Sequence, residues 1–299
     1  MKIFDSFMFY NELDLLEVRL EFLYPIVDYF VISECNETFS GINKEFLFEK
    51  NISRYSQFMD KIIYQKLETV PENFKNFNKQ FYTNYNKSYS HKHNGKPLIE
   101  LNKTFQKEVF QRDSLIEPLL KWAEDDDIIL MSDLDEIPSI EAIIKAKKDL
   151  NDKSNLIHFE QKWFMYYFNN YSENKWYGTH ACKMSFLKEF SIDLLQYHKE
   201  NKELLAGNII SNGGWHFSFL GGSETIIEKL KAYDYQGGRS SKILAIIDKI
   251  FPSRIQNKLK QNKDIFIGNR NFIRIDLDTF FPEKLQILLN KYPQHLYHI

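Results

Sequence analysis

The opening of the chain restricts the fold more than any other feature, because it reads as strand, helix and strand. Residues 2–10 (KIFDSFMFY) are typical of a buried strand, leucines then recur at helical spacing from 13 to 23, and residues 29–33 (YFVIS) form a second apolar strand. Two strands joined through a helix run parallel. We therefore predict an α/β fold with a mostly parallel, doubly wound sheet.

The rest of the chain favours one domain. A chain of 299 residues is long enough for a single large α/β domain, and it shows no internal repeat or clear linker. We assign 1–235 to this domain and interpret 71–104, which is polar and rich in aromatic residues, as a loop or lid. Residues 236–299 are expected to form a helical and extended C-terminal extension packed on the same domain.

Composition excludes several classes of protein. The net charge of −2 gives no field for bulk nucleic-acid binding. Two cysteines, Cys35 and Cys182, are too few for a disulfide framework or a four-thiolate zinc site, so a reducing, cytoplasmic location is expected. No apolar run is long enough to cross a membrane. Residues 243–260 predict a basic amphipathic helix, and we expect either packing on the domain or peripheral contact with an anionic membrane.

A carboxylate cluster follows a short apolar strand in the middle of the chain. Residues 128–131 (IILM) lead directly to Asp133, Asp135 and Glu136. Ligands bind beyond the carboxyl ends of strands in open α/β sheets. An Asp-x-Asp pair there can hold Mn²⁺ or Mg²⁺, which neutralises a diphosphate leaving group. Glu136 is expected to support the pair rather than bind the metal; the alternative is an acidic loop that caps the following helix.

Several blocks in the same order resemble glycosyltransferase family 17, whose best-known member adds a bisecting β1,4-linked N-acetylglucosamine to N-glycans. The resemblance implies a GT-A-type fold, a nucleotide-sugar donor, a glycan acceptor, a divalent metal and inversion at the anomeric carbon. UDP-N-acetylglucosamine is the donor that the family suggests. The blocks that carry the resemblance are Ile3–Phe7, Asn11–Leu20, Val27–Ile32, Glu34, Thr38–Gly41, Gln111–Asp113, Ser132–Pro138, Gly214–Ser218, Gly221–Gly222 and Glu224.

In a nucleotide-sugar fold, residues near the first strands and the Asp-x-Asp loop contact the donor. Glu34, at the end of the second strand, is a candidate ligand of the nucleoside. Arg112 has the fork of donors that suits a diphosphate, or it forms a salt bridge on a helix surface. The remaining donor-binding candidates are Asp5, Phe7, Ser40 and Asp133.

An inverting transfer needs one carboxylate that takes the proton from the acceptor hydroxyl. Glu224 begins a helix after Gly-Gly and is the predicted catalytic base, with Glu160 in reserve. Trp215 and Trp176 are candidates for stacking on the acceptor sugar, with a position in the core as the alternative for Trp215. His216 is a candidate third metal ligand, with a satisfied core histidine as the alternative.

Three other classes of protein compete with this interpretation. A metal-dependent phosphatase also places Asp-x-Asp after a strand, but it normally continues with glycine and threonine or valine, whereas Glu136-Ile137-Pro138 follow here. A nucleotidyltransferase would need an upstream Gly-Ser element. A non-catalytic carbohydrate-binding protein would need neither the strand-helix-strand opening nor the carboxylates.

Overall fold

The structure is a computed structural model, and it describes most of the chain. The described residues are 1–71, 103–152, 154–189, 192–197, 207–233, 252–266 and 270–297. The expected lid at 71–104 therefore lies almost entirely outside the described residues.

Strands and helices alternate in the first half of the chain. The strands are β1 (Ile3–Phe9), β2 (Tyr29–Cys35), β3 (Ile62–Leu67), β4 (Ile128–Met131), β5 (Glu136–Pro138), β6 (Leu156–Met165), β7 (Asn170–Lys183), β8 (Asn208–Ser218) and β9 (Phe272–Arg274). The helices are α1 (Leu13–Leu23), α2 (Leu47–Lys50), α3 (Lys103–Asp113), α4 (Ile116–Trp122), α5 (Ile140–Asp152), α6 (Met184–Leu187), α7 (Ile192–Tyr197), α8 (Ser223–Tyr233), α9 (Pro252–Lys260), α10 (Leu277–Phe280) and α11 (Glu283–Asn290). Short 3-10 turns span Ile52–Phe58 and Pro293–His295.

The strands of the described residues form one mixed sheet in the order β3-β2-β1-β4-β7-β6-β8-β5, with β9 paired to β7. The first four strands are parallel, as the opening of the chain predicts. β7 then runs antiparallel to both β4 and β6, and β5 runs antiparallel to β8. The prediction of a mostly parallel, doubly wound sheet is therefore wrong for the second half. The reason is the short connection between β6 and β7, which permits only an antiparallel pair.

The bounds of several helices and strands differ from the sequence prediction. Apolar residues at 105, 109, 115 and 119 predict one helix from about 104 to 123. The structure divides it into α3 and α4, and the hydroxyl of Ser114 donates to the carbonyl of Phe110 at 2.7 Å near the break. β6 ends at Met165 because Tyr166 has a φ of 70°. β7 was not predicted at all, because its first half is mostly polar, with Glu173, Asn174 and Lys175 exposed, and lacks an apolar period.

Two apolar layers cover the two faces of the sheet. Side chains of α1, α5 and α11 pack with Phe7 and Phe9 of β1 on one face. Side chains of α3, α4, α6 and α7 pack with Phe4 on the other. This alternation along β1 follows from the two-residue period of a strand. The layers leave the carboxyl ends of β1, β2 and β4 open at one edge.

The described C-terminal residues share the core of the main sheet. Leu285, Leu288 and Leu289 of α11 are buried in the same cluster as β1. Ile255 and Leu259 of α9 are buried against α8, so this part of the predicted amphipathic helix gives a membrane contact no support. Residues 243–251 of that helix lie outside the described residues. Among the described helices, none combines the length and the apolar character that crossing a membrane requires.

Candidate active site

The carboxyl ends of three parallel strands converge on an open cleft with about 570 Å³ of empty space, part of it continuous with solvent. Met8 and Phe9 end β1 and Tyr10 follows it, Cys35 ends β2, and Asp133 to Asp135 follow β4. We call this the carboxylate cleft. Its lining comprises Met8, Phe9, Tyr10, Glu12, Cys35, Glu37, Thr38, Phe39, Lys44, Gln111, Asp133, Leu134, Asp135, Lys229 and Ala232.

A buried arginine holds the Asp-x-Asp loop in place. One terminal nitrogen of Arg19 donates to the carbonyls of Asp133 (2.9 Å), Leu134 (3.0 Å) and Glu136 (3.1 Å). The rest of the guanidinium pairs with the carboxylate of Asp5 at 2.8 and 2.6 Å. Both side chains are fully buried. Asp5 thus orients Arg19, and Arg19 fixes the backbone that carries the two aspartates.

Each aspartate of the pair faces a cation. Asp133 lies 3.4 Å from a terminal nitrogen of Arg112, and Asp135 lies 3.2 Å from the ammonium of Lys229. Burial lowers the pKa of Arg112, but the nearby carboxylates of Glu108, Asp133 and Asp193 outweigh it, so the pKa lies well above its usual value. The guanidinium therefore stays charged beside the cleft.

The donor atoms on the cleft wall suit a hard cation. Asp133 and Asp135 both line the cleft, and carboxylate oxygens, waters and phosphate oxygens are the ligands that Mg²⁺ and Mn²⁺ prefer. No group of three histidine, cysteine, aspartate or glutamate side chains is gathered for a metal in the described part of the chain. Two carboxylates fit a metal that takes its remaining ligands from water and a diphosphate.

Glu136 supports the loop from below. One carboxylate oxygen accepts the backbone N–H of Asp133 at 2.8 Å, and the other accepts the indole N–H of Trp176 at 2.6 Å. The ring of Trp176 stacks on His216, with the centroids 4.4 Å apart. His216 in turn places Nε2 3.6 Å from Asp135 and 3.2 Å from the hydroxyl of Ser218. Trp176 and His216, both predicted as site residues, thus form a stacked pair that contacts Glu136 and Asp135.

The family profile described as Glycosyltransferase family 17 matches residues 1–87 and 70–268, which is most of the chain. The chain belongs to glycosyltransferase family 17. The match agrees with the resemblance of the sequence blocks, and it makes this family 17 protein a glycosyltransferase with a nucleotide-sugar donor and a glycan acceptor. No curated protein sequence matches it.

Solved structures share only a loose likeness of fold with this family 17 protein. A mannosyltransferase, PcManGT from Pyrobaculum calidifontis in complex with GDP-Man and Mn²⁺, has 10% identity and a TM-score of 0.42, with 87% of this chain and 73% of that chain covered. A putative nucleotide-diphospho-sugar transferase from Desulfovibrio desulfuricans G20 has 9% identity and a TM-score of 0.35, covering 83% and 94%. At such scores no functional argument rests on either structure.

Two predicted donor-binding residues of this family 17 protein have structural positions instead. Asp5 is enclosed by its pair with Arg19, and Phe7 is fully buried with the Arg19 guanidinium 4.4 Å from its ring centre. Neither can contact a donor in this arrangement. Alternation along β1 directs both side chains inward, toward α1.

Glu34 was also predicted to contact the nucleoside, and the structure contradicts this. Its carboxylate is fully buried and accepts hydrogen bonds from the ammonium of Lys44 (2.6 Å), the backbone N–H groups of Leu47 (2.7 Å) and Phe48 (3.1 Å), and the hydroxyl of Tyr64 (2.8 Å). These four partners satisfy the carboxylate where it lies. Glu34 thereby holds the start of α2 against β3 rather than facing the cleft.

Ser40, Trp176 and Trp215 are not part of the lining of the carboxylate cleft. Thr38 and Phe39 line the carboxylate cleft, whereas Ser40 bonds the Thr38 hydroxyl and the carbonyl of Ala232. Trp215 is only 6% exposed and packs edge-on against Phe22, so it does not offer a face to a sugar. Its predicted role in acceptor binding is wrong in this arrangement. Trp176 remains partly exposed.

The two predicted bases lie outside the lining of the carboxylate cleft. Glu224 is exposed in the first turn of α8, while the same helix directs Lys229 and Ala232 into the cleft. Glu160 on β6 pairs with the ammonium of Lys175 at 2.8 Å. A role for either as base stays a prediction.

Sequence reasoning missed several residues that line the carboxylate cleft, among them Tyr10, Lys44 and Lys229. Tyr10 follows β1 directly, so its position could have been read from the end of the strand. Burial, with the charges of Glu228 and Glu12, raises the pKa of Tyr10 to about 12, and the phenol stays neutral. Lys44 and Lys229 gave no local signal, because the loop path and the rotation of α8 decide where they point.

Proposed function

We propose that this protein is an inverting, divalent-metal-dependent glycosyltransferase that moves N-acetylglucosamine from UDP-N-acetylglucosamine to a glycan. The observation that supports the proposal is the pair Asp133 and Asp135, held by Arg19 on the wall of a cleft at the carboxyl ends of β1, β2 and β4. Nucleotide ligands bind at this edge of open α/β sheets.

The lining of the cleft combines charged groups with aromatic rings. Asp133, Asp135 and Lys229 are among the charged groups, and the diphosphate is expected beside them. Bound Mn²⁺ or Mg²⁺ would be held by the two aspartates and would supply Lewis-acid stabilisation to the departing diphosphate. Lys229 adds a positive charge within reach of the same site. Electrostatic stabilisation of a leaving group is strongest when such charges are fixed in advance.

The aromatic part of the lining suits the nucleoside. Tyr10 and Phe39 lie in the lining beside the buried ring of Phe9, and aromatic rings stack on bases regardless of sequence. The thiol of Cys35 is also part of this wall, and burial raises its pKa, so it stays uncharged. The cleft therefore offers rings to the base and charges to the diphosphate.

Binding of nucleotide sugars tests the proposal directly. We expect UDP-N-acetylglucosamine with Mn²⁺ to raise the melting temperature of the purified protein, because a ligand that binds only the native state stabilises it. Asp135→Asn should abolish the part of the shift that depends on Mn²⁺, and release of UDP should fall by about 10²-fold or more. Titration calorimetry and UDP release are the measurements.

Asp126→Asn is the matched control, because Asp126 is highly exposed and pairs with Lys183 at the surface. It should behave like the unmodified protein. Turnover by Asp135→Asn equal to that of the control would show that the metal role is wrong. A shift with another nucleotide sugar, and none with UDP-N-acetylglucosamine, would reassign the donor and keep the reaction class.

A further inference from the structure

A second cleft opens beside the first, at the N-terminus of α1, with about 750 Å³ of empty space, part of it continuous with solvent. We call it the α1 cleft. The two clefts share two wall residues, Glu12 and Lys229. The lining of the α1 cleft comprises Asn11, Glu12, Leu13, Asp14, Leu15, Arg54, Phe217, Leu220, Thr225, Lys229 and His295.

We propose that the α1 cleft binds the acceptor sugar and that Glu12, at the junction of the two clefts, is the base that activates its hydroxyl. The proposal rests on the donor occupying the carboxylate cleft. A transfer joins two substrates, so their sites must meet at the reacting atoms. Glu12 and Lys229 mark the place where these two cavities meet.

The junction is built from three charged groups in contact. The ammonium of Lys229 lies 3.2 Å from a carboxylate oxygen of Glu12 and 3.2 Å from Asp135. The side chains of Glu12 and Asp135 are 19% and 11% exposed. Lys229 therefore links Glu12 to Asp135, beside which the diphosphate is expected. Glu12 also lines the α1 cleft.

Asp14, the other carboxylate in the lining of the α1 cleft, is paired with two basic side chains. Asp14 lies 2.9 Å from the ring nitrogen of His295 and pairs with Arg54 at 2.7 Å. The contact with His295 lowers the pKa of Asp14 most, against the opposing effect of burial, and Arg54 and Gln294 lower it further. A carboxyl with a lowered pKa is a poor proton acceptor. Glu12, with one contact to Lys229 and one to the backbone of Asn11, is the better candidate.

The walls of the α1 cleft suit an uncharged sugar. Arg54 is neutralised by Asp14 and Glu17, and Lys229 by Glu12 and Asp135. Leucine side chains at 13 and 220 supply apolar surface for the C–H face of a pyranose. Thr225 adds a hydroxyl. A neutral glycan is therefore favoured over a phosphorylated or sulfated acceptor.

The transfer needs no reactant other than the nucleotide-sugar donor and the acceptor. The acceptor oxygen forms a bond to the anomeric carbon while the bond from that carbon to the diphosphate oxygen breaks. Glu12 takes the hydroxyl proton, and the nucleoside diphosphate leaves with the electron pair of the broken bond. Glu12 then returns its proton to water.

Variants of Glu12 test the role of the base. With UDP-N-acetylglucosamine and Mn²⁺ as donor, and methyl β-mannoside and chitotriose as neutral acceptor probes, Glu12→Gln should keep the donor Kd within about threefold and lower kcat by about 10²- to 10⁴-fold. Glu12→Asp should recover part of the rate. Glu21→Gln is the matched control, because Glu21 lies on α1, the helix that Glu12 directly precedes, and pairs with Lys291 at the surface.

A bulky side chain tests the cleft separately. Thr225 is exposed on α8 and lines the α1 cleft, so Thr225→Trp should fold normally and raise the acceptor KM by about tenfold or more while the donor Kd is unchanged. Lys231→Trp places the same ring on an exposed position of the same helix outside both linings, and should change neither constant.

The outcomes separate this inference from the proposed function. A kcat of Glu12→Gln within about threefold of the unmodified protein, or an unchanged acceptor KM for Thr225→Trp, would overturn the inference while donor binding still stood. A large loss in Glu224→Gln alone would assign the base to Glu224. If the unmodified protein neither bound nor cleaved any nucleotide sugar, both proposals would be wrong.

Discussion

At the residue scale, the arginine that holds the Asp-x-Asp loop is a buried charge surrounded by polar partners. Arg19 is fully buried, and its guanidinium contacts Asp5, the hydroxyl of Ser132 and three carbonyls of the loop. A buried charge is costly unless it is paired and hydrogen-bonded, and here every terminal nitrogen has a partner. The pair therefore stabilises the native state only as an intact unit.

Variants of Arg19 test whether this residue stabilises the fold and also positions the metal-binding aspartates. Arg19→Met leaves Asp5 buried without its cation, and we expect the free energy of unfolding to fall by about 3–5 kcal/mol. The double variant Asp5→Leu/Arg19→Met should recover most of this stability, because an apolar pair can replace a buried ion pair. Its affinity for Mn²⁺ with UDP should stay low, since the loop carbonyls still lack their donor. Denaturant unfolding and calorimetry measure the two effects.

Lys188→Met is the control, as Lys188 forms an exposed pair with Asp125. It should change stability by less than about 1 kcal/mol. If the double variant bound Mn²⁺ as tightly as the unmodified protein, Arg19 would stabilise the fold without positioning the aspartates.

At the scale of elements, β7 supports the candidate site from the neighbouring strands. It lies between β4, which leads to the aspartates, and β6, and it carries Trp176 and Gly178. A Cβ at Gly178 would lie 2.7 Å from the carboxyl carbon of Glu136 and 2.2 Å from the amide oxygen of Gln161. Only glycine lets the Glu136 carboxylate lie this close to the strand.

Gly178→Ala should therefore displace Glu136 and, through it, the backbone N–H of Asp133. We expect a loss of about 1–3 kcal/mol in stability from overpacking, together with a weaker dependence of turnover on Mn²⁺. Gly222→Ala is the control, because a Cβ there meets no atom within 4 Å. Equal Mn²⁺ dependence in the two variants would mean that Glu136 does not position the loop. Thermal unfolding and metal titration of UDP release distinguish them.

At the scale of the whole molecule, the end of the chain completes the core that begins with β1. Leu285, Leu288 and Leu289 of α11 are buried against the layer that contains α1, and β9 adds to the edge of β7. His295 contacts Asp14 near the start of α1. The two ends of the sequence are therefore neighbours in the same packed layer.

Leu289→Ala tests whether this layer unfolds as one unit. A buried leucine truncated to alanine costs about 2–5 kcal/mol, and we expect a single transition at lower denaturant concentration. Ile287→Ala on the same helix is the control, because Ile287 is 57% exposed and should change stability by no more than about 0.5 kcal/mol. Two separated transitions in Leu289→Ala would show that the C-terminal residues form an independent unit.

The sequence by itself determined the features that depend on neighbours along the chain. The apolar periods of β1, α1 and β2 predicted the parallel start of the sheet, and the apolar residues of β4 placed Asp133 and Asp135 at its carboxyl end. Ordered blocks of residues identified the family, and the family profile confirmed it. These signals are local, because periodicity and strand ends are set by residues only a few positions apart.

Only the tertiary structure decided which polar residues face the clefts. Asp5 and Glu34 stand at strand positions that look like ligand sites in the sequence, yet each is enclosed by partners distant along the chain: Arg19 for the first, Lys44 and Tyr64 for the second. Glu12 and Lys229 lie far apart in the sequence but meet at 3.2 Å where two cavities join. Long-range pairing and the rotation of α8 fix these contacts, and neither leaves a periodic signal in the chain.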